Sequence, residues 1–277
     1  MYLAAHQKSA TCWLMLWLSQ QVAQGKPVWN LPTLQCDVLY LCFEDTTRRI
    51  KDRLYQPTDD APNNLHFAVA CGRVGSGLEG QIFEFLKENP NTKLVIIDTL
   101  QKVRDSKSSF GKNGIYASDY DDIASIKQIA DQHGIAILLV HHLRKLQDAS
   151  DPFNEVTGST GIISAADTNF VLKHKRSNTD AVLFVSGRDV EYQEMTLRFR
   201  NLVWELVERK DSKDIHNAEI TDFVFQLADF MKGQTHWTGT ASELLTAMVE
   251  KDVDIFQKRI TKSFCFRIQI IYFLLRR

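Results

Sequence analysis

The sequence predicts an α/β fold: a mostly parallel sheet flanked by helices, with an antiparallel extension and a small helical C-terminal segment. Three observations carry this. Strand-like and helix-like patterns alternate over residues 1–207. Several of the strands are continuous apolar runs, as expected where helices cover both faces of a parallel sheet. After about residue 165 the pattern changes to short strands separated by turns, which reads as an antiparallel addition.

In order, strands are expected at 2–5 (YLAA), 37–43 (DVLYLCF), 66–71 (HFAVAC), 94–98 (LVIID) and 135–140 (IAILLV). A helix from Trp13 to about Gln24 is closed by Gly25, with Pro27 beyond it. A second helix begins near Thr46. Residues 78–89 place Ile82, Phe85 and Leu86 on one helical face, and 119–133 do the same with Ile123, Ile126, Ile129 and Ala130 before Gly134. The antiparallel strands are 168–174, 181–186, 194–200 and 202–207, with turns at Ser177-Asn178 and Gly187-Arg188-Asp189. The expected division is a core at 1–207, a polar linker at 208–219 and a tail at 220–277. That tail opens with a helix at 220–232, and Thr240 and Glu243 form a capping box before the next helix.

A formal charge of −1 gives no global basic footprint, so any nucleic-acid contact must come from a local patch. The five cysteines have no CxxC spacing, which reads as reduced thiols in a cytoplasmic protein rather than a disulfide framework or zinc site. No run approaches 18 apolar residues, and the apolar stretch after Ala10 lacks a small-residue cleavage pattern.

Chemistry-bearing residues gather at predicted strand ends. Asp98 closes KLVIID, the position where open parallel sheets bind ligands. Glu44 and Asp45 close VLYLCFED; they suit either a general base or the cap and first-turn acid of the next helix. His141 and His142 follow IAILLV, either as phosphate-sensing groups or as one packed and one exposed histidine. Gly158-Ser159-Thr160-Gly161 forms a small loop, facing nucleic acid or opening a helix. Arg188 sits in a tight turn, either solvated or reaching a neighbour's phosphate. All are expected on one sheet edge.

This order resembles the RecA-like hexameric helicase ATPases, in particular the RepA-like ATPases of plasmids and mobile elements. The segments that carry the likeness are AQGKPVW, LYLCFEDTTRRIKDRL, LVIIDTLQKVR, ILLVHHLRK, GSTGI and FVSGRD, and they span nearly all of residues 1–207. The TASELL helix resembles the winged-helix-like tail of such proteins. The resemblance implies ATP and Mg2+ as cofactors, single-stranded DNA as partner and a homo-oligomeric, hexameric ring. It implies Glu44 as catalytic glutamate, Asp98 on the magnesium side, His141 and His142 as phosphate sensors, and Arg188 as an arginine finger acting across a subunit interface. The loop Gly158, Ser159, Thr160, Gly161 is implied to face DNA.

The nucleotide-binding segment departs from that pattern. The family's G-x-x-x-x-G-K-[ST] aligns without a gap on Ala5-His6-Gln7-Lys8-Ser9-Ala10-Thr11-Cys12. Ala5 and Ala10 replace glycines, Thr11 replaces the lysine, and Cys12 replaces the magnesium-ligating hydroxyl. A shifted Lys8-Ser9 pair would need glycines at Tyr2 and Gln7, where there are none. Weak nucleotide binding and reduced hydrolysis are therefore expected. Met1 falls inside the first core strand, and FCFRIQIIYFLLRR is a poor winged-helix ending, so a truncated or frame-disrupted copy is expected. The competing outcomes are a DNA motor, a non-catalytic DNA-binding or regulatory module, and an inactive remnant.

Overall fold

Strands rich in Val, Ile and Leu can be buried on both faces only if helices pack above and below them, and the computed structural model of the chain has that arrangement. It describes residues 1–5, 8–56, 61–104, 114–144, 148, 151–157, 160–174, 179–232 and 236–250. The turn at Ser177-Asn178 and the tail from 251 onward lie outside the described residues. The chain divides into two units, Met1–Asp211 and Ser212–Arg277.

The first unit is built on one nine-stranded sheet, ordered β3-β2-β4-β5-β1-β6-β7-β8-β9. Its strands are β1 (Tyr2–Ala5), β2 (Asp37–Cys42), β3 (Leu65–Ala68), β4 (Thr92–Asp98), β5 (Ala136–His142), β6 (Thr168–His174), β7 (Asp180–Gly187), β8 (Gln193–Arg200) and β9 (Val203–Asp211). All pairings from β3 to β6 are parallel, and β6 to β9 form an antiparallel meander.

The helices are α1 (Lys8–Gln24), α2 (Thr47–Leu54), α3 (Leu78–Glu88), α4 (Leu100–Val103), α5 (Gly114–His133) and α6 (Thr160–Ala165). Alternation along each strand sorts the core into two layers. Leu3, Val38, Tyr40, Ile96, Leu138 and Val140 pack with Leu14, Met15 and Leu16 of α1. On the other face Tyr2, Leu39, Ile97 and Leu139 pack with Ile82 of α3 and Ile123 and Ile126 of α5.

Among the boundaries that differ from the sequence expectation, three have a plain physical reason. Helix α1 starts at Lys8 rather than Trp13, because residues 8–12 contain no glycine or proline to stop it. Strand β5 continues through His142, two residues past its apolar run, because both residues keep the ladder with β1. Strand β9 starts after Leu202, since Asn201 (φ 50) and Leu202 (φ 65) form the two positive-φ positions of a tight hairpin turn. A similar turn at Trp29-Asn30 (φ 49 and 66) lets Trp29 Nε1 donate to the Trp204 carbonyl at 2.8 Å, tying the end of α1 to β9.

The polar stretch 208–219 carries regular structure: β9 runs to Asp211 and α7 (Ser212–Met231) follows at once. Within the second unit, α7 and α8 (Ala241–Glu250) share a small core of Phe230, Leu244, Leu245 and Met248. The capping box is formed: Thr240 N donates to Glu243 Oε2 at 2.6 Å and Glu243 N to Thr240 Oγ1 at 3.3 Å.

Candidate functional site

The carboxyl ends of β2, β4 and β5 bring together the residues that the sequence singles out. Asp98 ends β4 in register with Cys42 of β2 and Val140 of β5. It is only 3% exposed. Its Oδ2 accepts a hydrogen bond from Tyr40 Oη at 2.8 Å, and Cys12 Sγ of α1 approaches the same oxygen at 3.9 Å. Burial raises the Asp98 carboxyl to about 6, partly offset by the Tyr40 hydrogen bond and reinforced by the nearby Glu44 charge. Burial likewise holds the Cys12 thiol far above the usual range and the Cys42 thiol up at about 11, with the Asp98 charge adding to both. These thiols are therefore protonated at neutral pH.

Glu44, just beyond β2, lies with Oε1 3.5 Å from His142 Nε2, an ion pair whenever the imidazole is protonated. Asp45 is committed elsewhere, to Arg49 at 2.9 Å and Arg53 at 2.5 Å. Thr46 is the N-cap of α2, its side chain accepting from Arg49 N at 3.3 Å. Of the two acids, Glu44 thus faces the strand-end cluster while Asp45 anchors α2.

The two histidines lie close together, their rings stacked with centroids 6.3 Å apart. Because β5 runs through both, their Cα–Cβ bonds point to opposite sides of the sheet, although the rings remain close. His142 follows Leu138 and Val140 onto the α1 face, beside Glu44. His141 lies on the α5 face, its ring 5.9 Å from that of Tyr2, with Nε2 3.0 Å from the Thr157 carbonyl. Burial lowers its pKa to about 4.

Arg188 is not on the edge that holds Asp98. Gly187 pairs with Thr168, and Asn169 pairs with Tyr2, so the turn after β7 lies at the amino-terminal end of β1. The antiparallel return of β7 causes this, and the expectation of one shared edge fails for Arg188. Its guanidinium is 58% exposed and sits 3.7 Å from Asp167 and 3.4 Å from the Ser164 carbonyl.

The nucleotide-loop residues fall in three places. Ala5 is the buried last residue of β1 and pairs with His142. Thr11 and Cys12 are buried within α1. Helix α1 begins at Lys8, so residues 6 and 7 alone separate it from β1; the side chains of Lys8, Ser9 and Ala10 lie outside the described residues. Gly158 and Ser159 are outside them too, while Thr160 opens α6 and Gly161 is buried in it. Tyr40 is the residue that sequence reasoning missed. Its only signal was position, two residues before Cys42 on the strand face that Asp98 shares. Among the described residues, no group of three His, Cys, Asp or Glu side chains is arranged to hold a metal ion.

A family model described as AAA domain matches residues 1–148. The chain belongs to this AAA-domain family. No curated protein matches the chain. Among solved structures, the chain is similar to a DnaB-like replicative helicase described with its interactions with primase, at TM-score 0.57 and 12% identity. The match covers 75% of this chain and 57% of that one, so the chain spans little more than half the helicase's length. At this identity the likeness establishes the fold, a RecA-like one, which agrees with the parallel sheet and its antiparallel extension. Among the described residues no helix is long and apolar enough to cross a membrane.

Proposed function

We propose that this AAA-domain chain is a RecA-like, helicase-type ATPase of the RepA-like kind carried by plasmids and mobile elements, with a degenerate nucleotide loop that leaves ATP binding and hydrolysis impaired. The observation that carries this is the Cys12–Asp98–Tyr40 contact beneath an α1 that begins at Lys8. A phosphate loop wraps backbone N–H groups around an anion and needs several residues free of helix to do so. Here two residues separate β1 from α1.

The residues present do not fit magnesium. The ion takes oxygen donors, and a buried, protonated thiol stands at Cys12 where a hydroxyl is needed. What remains is a set of residues suited to an ancestral role: Glu44 as base, His142 beside it, and Arg188 on a distant edge, where an arginine serves a neighbouring subunit of a ring rather than its own site. DNA, contacted near Gly158–Gly161, and a cytoplasmic setting complete this reading. The same contact favours a second reading, a non-catalytic DNA-binding or regulatory module.

The test compares the chain with a version carrying Ala5→Gly, Ala10→Gly, Thr11→Lys and Cys12→Thr. ATP binding and hydrolysis are expected to be weak or absent in the first and to rise in the second. Equal hydrolysis by both would overturn the loop as the cause of impairment. Salt-sensitive DNA binding by the unmodified chain, unchanged by ATP, would select the non-catalytic module.

A further inference from the structure

The α5 face of the sheet holds polar atoms that the protein leaves unsatisfied. Tyr2 is 0% exposed, Thr99 1% and His141 3%, yet Tyr2 Oη, Thr99 Oγ1 and His141 Nδ1 have no hydrogen-bond partner among the described residues. Native interiors rarely tolerate this, and each such group left bare costs about 1–3 kcal/mol. Two of the three are neighbours, since the Tyr2 and His141 rings stand 5.9 Å apart. Both also feel the charges of Arg104 and Asp119, the latter 1% exposed, which pair with each other above them. Thr99 follows Asp98, whose register partner is Val140, the residue before His141.

Hydrogen-bond balance fixes what belongs there. The Thr157 carbonyl can only accept, so His141 Nε2, 3.0 Å away, carries the proton. The imidazole is neutral, and Nδ1 is then a bare acceptor that needs a donor. Tyr2 keeps its phenolic proton, because burial pushes its ionisation far up, so its hydroxyl can donate. A bridging group must donate to His141 and accept from Tyr2. An anion fails the first requirement, and an ammonium-type cation fails the second.

We infer that Tyr2 and His141 enclose a binding site for a neutral hydroxylic molecule of water's size. His141 faces Tyr2 here, and the neighbouring His142 ring, 6.3 Å away, stands beside Glu44.

Tyr2→Phe tests it, because it removes one oxygen and keeps the ring. If the site is filled, the variant loses a bridged hydrogen bond: its melting temperature falls by several degrees. The buried, slowly exchanging water seen by magnetic relaxation dispersion of the wild-type chain disappears. The His141 Nδ1 resonance also moves, reporting loss of its donor. If the hydroxyl is a bare orphan, the melting temperature rises instead and the dispersion does not change. That result overturns the inference.

Discussion

Tyr40 and Asp98 are joined across adjacent parallel strands: the phenol of β2 donates to the carboxylate of β4 at 2.8 Å, close to Cys12 of α1. This bond holds a nearly inaccessible acid in a site where burial raises it to about 6. On the other face of the sheet, burial moves His141 down to about 4. The two shifts overlap in pH and have opposite consequences for stability.

The sign follows from proton uptake. Between about 4 and about 6, folded Asp98 binds more protons than it does at its ordinary 3.8, so its contribution to stability falls as pH rises. Between about 4 and 6.5, folded His141 binds fewer protons than the unfolded residue, so its contribution rises with pH. Each window spans about 3 kcal/mol at most, and in the wild-type chain they largely offset. Asp98→Asn is expected to expose the histidine alone, giving stability that climbs from about pH 4 to 6.5. His141→Asn is expected to show the reverse, a decline from about pH 4 to about 6. Urea denaturation across this range checks both, and parallel curves for the two variants would refute the assignment.

The parts of this site that the sequence reveals are those set by local pattern. The runs DVLYLCF and KLVIID announce buried strands, and their ends place Glu44 and Asp98 side by side because neighbouring parallel strands finish together. The rest depends on information that a single chain segment does not carry. That His141 packs against Tyr2 while His142 stands beside Glu44 depends on strands far away in the chain. Arg188 looks like part of the same edge until the antiparallel return of β7 carries its turn to the other end of β1. Tyr40 reads as one more core aromatic, because nothing in its own strand announces an acid two residues further along on the next one.

The second prediction concerns the connection between β5 and α6. Glu155, 0% exposed, accepts from Lys173 Nζ at 2.8 Å and from Asp148 N at 2.7 Å, tying this connection to β6. The partners differ in their access to water, Lys173 being 29% exposed. Removing Lys173 therefore strands a charge in the interior, while removing Glu155 frees an ammonium that can reach solvent. Lys173→Met is expected to cost about 3 kcal/mol or more, and Glu155→Gln about 1–2 kcal/mol. The double variant is expected to lose less than the sum of the two single losses, because no charge is left stranded. Equal costs for the single variants in denaturant titrations would show that burial does not govern this pair.

The third prediction rests on Leu202, the residue at φ 65 in the turn between β8 and β9. A two-residue hairpin turn with both φ values positive favours Asn-Gly, and the chain supplies the asparagine at 201 but a leucine after it. A side chain in the left-handed region costs about 1–2 kcal/mol. Against that, Leu202 is half-buried but is not among the residues packed on either core layer of the sheet, so less apolar contact is lost on truncation than at Trp204 nearby. Leu202→Gly is expected to raise stability by about 0.5–1 kcal/mol, despite the added freedom of the unfolded chain. Leu202→Ala separates the two contributions, since it truncates the side chain while keeping the strained backbone, and it is expected to lower stability slightly. A fall in melting temperature for the glycine variant equal to that of the alanine variant would mean that the leucine contact, and not the turn conformation, dominates at this hairpin.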